Sequence, residues 1–98
     1  LADSDPGFVE DHLLMLEFNE DNGAYESWIA ASPSQFVINA ERSLNQNTMV
    51  LHRANCRTIN GTPPRGSTWV GVYVKICGTR RELEARYPDA HPCGICLR

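Results

Sequence analysis

Short apolar stretches alternate with polar turns along this chain, and their periods differ enough to predict both strands and helices. "HLLMLEF" (12–18) is apolar without a clean period. The turn-like "NEDNG" (19–23) behind it favours a strand. In "AYESWIAAS" (24–32), Ala24, Trp28 and Ala31 recur at helical spacing, as do Tyr25 and Ile29. Asn22 or Gly23 is expected to cap that helix, and Ser32-Pro33 to end it, because proline disfavours helix at the residue before it. "QFVINA" (35–40) and "TMVLH" (48–52) read as strands on either side of the polar loop "ERSLNQN". "TINGTPPRGST" (58–68) is an exposed loop, rich in Gly, Pro and Thr. "WVGVYVKI" (69–76), with its β-branched and aromatic residues, is the strongest strand signal. "GTRRELEARYPD" then predicts a short helix with Thr79 as N-cap, Glu82 completing a capping box, and Pro88 as the stop. The mixed order gives an α+β class: a small single domain with a short antiparallel β-sheet and two short helices.

Length and composition narrow this further. Ninety-eight residues make one core rather than two. A hydrophobic content of 42% with 21% charged residues fits a globular chain. No apolar run approaches the roughly 20 residues that cross a bilayer, so no membrane partner is expected. A chain opening at Leu1 reads as processed or as a piece of something longer. No secretory signal is visible in it, and a cytoplasmic location is expected. Charge divides the chain unevenly. Residues 1–41 hold nine acids and no Lys or Arg, a net of −9. Residues 42–98 hold nine basic residues and three acids, a net of +6. This points to a basic face for an anionic partner, beside an acidic segment that solvates it, masks it or meets a protein. Mutual attraction of the two halves within one fold is the plainer alternative.

The four cysteines, Cys56, Cys77, Cys93 and Cys96, admit four readings. A redox Cys-x-x-C needs a helix behind it to lower the nucleophile's pKa, and only Leu97 and Arg98 follow Cys96. Two disulfides are a second use, with three pairings, but secretion is otherwise signalled only by Asn60-Gly61-Thr62, which reads equally as turn chemistry. Buried thiols suit Cys77 at the end of an apolar strand. Metal accounts for the most: Cys-x-x-C brings two sulfurs to one ion, with Pro92 stiffening the entry and Gly94 freeing the turn. "LHRANC" supplies His52 and Cys56 four residues apart. His52, Cys56, Cys93 and Cys96 then form a closed zinc set of three sulfurs and one nitrogen, with Cys77 in place of His52 as the rival. Either way Zn2+ is the expected cofactor.

Laid out so, "VLHRANCRTI", "VGVYVKICGTRRELEARY" and "HPCGIC" resemble the Ada-type metal-binding domain and its relatives appended to some nucleases. The likeness covers about residues 47–98. It implies a strand, a first ligand pair at His52 and Cys56, a further strand, a short helix, and a knuckle at Cys93 and Cys96 closing the chain's end. It also places Cys77 at a core position, favouring His52 as the ligand. The Ada domain's first ligand is a cysteine that accepts a methyl group from DNA; His52 stands there in this chain, so methyl transfer is not implied. The expected function is a zinc-stabilised nucleic-acid-binding module, part of a DNA-processing or restriction-like system. Arg53, Arg57, Arg65, Arg80 and Arg81 are the expected phosphate contacts to DNA or RNA, with Trp69 or Tyr73 stacking on a base. A protein-interaction adaptor, with its patch around "YESWIAA", is the alternative. No catalytic arrangement is visible, and an enzyme is not expected.

Overall fold

The computed structural model describes residues 15–61 and 68–97. Its centre is a five-stranded sheet: β1 (Leu16–Phe18), β2 (Phe36–Glu41), β3 (Val50–Arg53), β4 (Tyr73–Gly78) and β5 (His91–Pro92), in the order β1-β4-β2-β3-β5. Neighbours are antiparallel except β3 and β5, which run parallel. Helices α1 (Asn22–Ala31) and α2 (Arg80–Arg86) complete an α+β domain, as the sequence led one to expect.

Pleating divides the sheet into two faces, because residues directly opposite on neighbouring strands point the same way. Val37 lies opposite both His52 and Cys77, and this face is covered by Tyr25 and Ile29 of α1 together with Ala54, Ile59, Trp69 and Val70. Ile38 lies opposite Leu51 and Ile76, and this face packs against Leu83 and Tyr87 at α2, with Met49 and Val74. Each face therefore has its own core, and the sheet is the wall between them.

Several element ends differ from expectation for local reasons. Asp21, not Asn22 or Gly23, caps α1, its Oδ1 accepting from the Ala24 amide at 2.9 Å. The Asn22 side chain is committed elsewhere, accepting from the Trp69 amide at 2.7 Å. The strand expected over 69–76 begins only at Tyr73. Gly71 stands at φ +124°, which breaks the strand course, and the preceding Trp69 turns inward to donate from Nε1 to the Gly61 carbonyl at 3.0 Å. Of the strand expected over 12–18, residues 12–14 lie outside the described part; the remainder holds β1.

The start of α2 follows the expected capping box. Thr79 Oγ1 accepts from the Glu82 amide at 3.1 Å, and Glu82 Oε1 accepts from the Thr79 amide at 2.9 Å. Gly78 leaves room for this return: a Cβ there would stand 2.8 Å from Glu82 Oε1. The chain's single lysine, Lys75, is buried on the α1 face. Its Nζ donates to Asn39 Oδ1 at 2.7 Å and to the Trp69 carbonyl at 2.6 Å. Burial draws its pKa down to about 8, with Cys77 pulling the other way.

Candidate metal centre

Three short pieces of backbone converge at the β3–β5 side of the sheet. The first is β3, whose alternation sends Leu51 to the α2 face and His52 to the α1 face. The second is the turn after it. The Ala54 amide donates to the Gln35 carbonyl at 2.8 Å and the Cys56 amide to the Arg53 carbonyl at 3.0 Å, folding Cys56 back toward His52. The third is β5. Its parallel register sets Pro92 beside Leu51, so Cys93 follows beside His52. The Cys93 amide fixes that step by donating to the Leu51 carbonyl at 2.8 Å. A turn through Gly94 and Ile95 then returns Cys96, closed by the Leu97 amide on the Cys93 carbonyl at 3.0 Å.

The ligand atoms of His52, Cys56, Cys93 and Cys96 all lie within 4.8 Å of one another. Cys56 and Cys93 sulfurs stand 4.0 Å apart, close to the edge of about 3.8 Å that a tetrahedron with zinc–sulfur bonds of about 2.3 Å requires. All four cysteines of the chain are free thiols, so the disulfide reading does not hold. His52, Cys56 and Cys93 are buried and Cys96 is partly exposed. The group is therefore compatible with a metal ion.

The surroundings favour the lone-pair-bearing forms that a metal needs at His52 and Cys93, and oppose the thiolate at Cys96. Burial, with the Lys75 charge added, lowers His52 to about pKa 4, so its imidazole is neutral at physiological pH. Burial alone would raise Cys93. The amides of Cys96 and Ile95 and the side chains of Cys96 and Cys56 outweigh it and bring the thiol below its ordinary value. Cys96 is raised to about 11, first by burial and then by its cysteine neighbours, with the Arg53 amide opposing. The smaller contribution of the cysteine neighbours is the mutual repulsion expected of thiolates gathered without a cation between them. Each sulfur also has one hydrogen-bond partner beyond the cluster: Thr58 Oγ1 at 3.0 Å for Cys56, the Ile95 amide at 3.3 Å for Cys93, and the Arg53 amide at 3.2 Å for Cys96. Such donors spread the charge of a thiolate site.

Cys77 stands apart from this group. It shares the sheet face with His52, but β2 lies between, and two strand spacings amount to about 9.6 Å. Its thiol is wholly buried, and desolvation raises its pKa further than Lys75 lowers it.

The arginines fare unequally. Arg53, Arg57, Arg80 and Arg81 are exposed, and Arg65 lies outside the described residues. Arg53 is partly committed, its Nε donating to the Cys96 carbonyl at 3.0 Å, and Arg80 pairs with Glu84 at 2.9 Å. Both guanidinium carbons stand 5.7 Å from the Phe36 ring centroid, so both arginines approach one aromatic ring. Trp69 is buried and offers no stacking face, whereas Tyr73 is about half exposed.

Sequence reasoning missed Thr58, whose hydroxyl lies 3.0 Å from Cys56 Sγ and 3.3 Å from His52 Nδ1. It also missed the amide donors, which every residue carries and no pattern announces. Neither a known protein family, nor a curated protein, nor a solved structure matches this chain.

Proposed function

We propose that the chain is a zinc-stabilised nucleic-acid-binding module, whose C-terminal half works as its resemblance to the Ada-type domain implies. The observation that carries the metal part is the convergence of one imidazole and three sulfurs, each sulfur hydrogen-bonded from outside the cluster. Three thiolates and a neutral imidazole are an ordinary closed zinc set. Bound zinc would supply cohesion, tying β3, the turn after it and the knuckle together. With four protein ligands the site keeps no open position for water, which suits a structural role. His52 carries no thiolate to accept a methyl group, so the module binds without that transfer.

The nucleic-acid part is supported by Arg53 and Arg80 beside Phe36, with Arg57 and Arg81 exposed nearby in sequence. The knuckle itself holds Arg53 in place, through the Cys96 carbonyl. Phosphate contact by arginines makes affinity fall steeply with salt. The test combines elemental analysis of the purified protein with DNA and RNA binding across a salt series. One equivalent of zinc and a salt-dependent affinity are expected. No binding at low salt would end the nucleic-acid reading while leaving the zinc reading intact.

A protein-interaction adaptor is the second reading, favoured by the exposed neighbours Val72 and Tyr73. The patch expected around "YESWIAA" does not serve it, because Tyr25 and Ile29 are spent in the core. A partner retained at high salt and lost on Val72→Asp is the outcome that would favour it.

A further inference from the structure

Among the hydroxyl groups near the centre, that of Thr58 touches two of the four ligands. It stands 3.0 Å from Cys56 Sγ and 3.3 Å from His52 Nδ1. A hydroxyl has one hydrogen to donate and lone pairs to accept with. A thiolate can only accept. With a deprotonated Cys56 the roles are therefore fixed: Thr58 donates to the sulfur, and its oxygen is left to accept from the imidazole. An imidazole nitrogen that donates carries a proton and has no lone pair for a metal.

We infer that Thr58 is a positioning residue for the metal centre, holding His52 in the tautomer protonated at Nδ1 so that Nε2 is the metal ligand, while donating to the Cys56 thiolate. This rests on the metal reading proposed above and adds to it which nitrogen binds and what holds it. The device resembles in kind the outer partners that fix ligating histidines generally, with a hydroxyl in place of a carboxylate or carbonyl. It also couples the two ligands of the first pair, because one side chain meets both.

The loop carrying Thr58 is braced independently of any metal. Tyr25 donates its hydroxyl hydrogen to the Ile59 carbonyl at 2.6 Å. Asn60 Nδ2 donates to the Ala54 carbonyl at 2.9 Å, and the Ile59 amide to the Cys56 carbonyl at 3.1 Å. Thr58 itself is exposed. Replacing it by valine removes the hydroxyl at nearly constant volume and leaves these braces in place, so a folded variant is expected.

The full chain, loaded with zinc and separately with cobalt, gives the test. Ring 15N–1H correlation spectra of the zinc-loaded wild type should show the His52 proton on Nδ1 and the metal on Nε2. Thr58→Val should lower metal affinity about 10- to 100-fold in competition with a chelator, the range typical of lost outer-shell partners. Thr58→Ser, which keeps the hydroxyl, should restore affinity to within a few-fold of wild type. The cobalt–thiolate absorption should shift in Thr58→Val and return in Thr58→Ser. A proton on Nε2, or equal affinities for wild type and Thr58→Val, overturns the inference and leaves the metal reading standing. A wild type that binds neither metal overturns both.

Discussion

His52 and Cys77 point to the same side of the sheet, and only their distance from the knuckle separates a candidate ligand from a packed thiol. His52 is brought beside Cys93 by the β5 register, while Cys77 has β2 in the way. His52→Ala is therefore expected to abolish stoichiometric metal binding, and Cys77→Ser to retain one equivalent by elemental analysis. Cys77→Ser should nevertheless lower the denaturation midpoint, because a hydroxyl buried in that apolar setting costs about 1–3 kcal/mol. Metal retained by His52→Ala and lost by Cys77→Ser would reverse the assignment. The four residues of the candidate site were legible because each pair, His52 with Cys56 and Cys93 with Cys96, is local in sequence and carries its own spacing. Thr58 was not, because its bonds exist only once the turn after β3 has folded it back over both ligands.

At the scale of elements, the most local signals were the most readable. The start of α2 is specified within a few residues, by Thr79 and Glu82 bonding each other's backbone amides. Thr79→Ala should cost about 1 kcal/mol, the usual worth of an N-cap side chain, with metal content unchanged. Urea denaturation beside zinc analysis checks both halves of that statement. A loss of zinc would show that α2 supports the centre more directly than its packing on the opposite face implies. The start of β4 was misread because β-propensity does not register a backbone break: Val70 and Val72 look like strand residues, yet Gly71 at φ +124° turns the chain between them. β5 went unseen because two residues, one a proline, carry no period at all. It is a strand by virtue of its neighbour: the His91 amide meets the Met49 carbonyl at 2.9 Å and the Cys93 amide the Leu51 carbonyl at 2.8 Å.

Across the whole molecule, the candidate metal centre lies where β5 meets a sheet that holds it by two register pairs, so a metal bound there would tie the two together. Structural zinc contributes on the order of 10–16 kcal/mol in small finger peptides, against a net stability of about 5–15 kcal/mol for an ordinary domain. Stability should therefore follow the protonation of the ligands, and His52 sets a window that can be worked out. Its folded pKa of about 4 lies below the ordinary 6.5. Between those values the unfolded chain takes up a proton that the folded one refuses. The stability linked to this residue is thus fully present above about pH 6.5 and is lost as the pH falls toward about 4. Coordination acts in the same direction, since a ligating imidazole nitrogen is closed to a proton, so the sign holds with the metal bound. The denaturation midpoint should accordingly decline from about pH 6.5 downward, and the His52 ring should keep its neutral chemical shifts until the protein unfolds. A chelator added at about pH 7.5 should lower the midpoint by a separate route, without acid. An imidazole that titrates near 6.5 in the folded protein, or a midpoint flat across the window, would show that His52 is open to water rather than held between β3 and the knuckle.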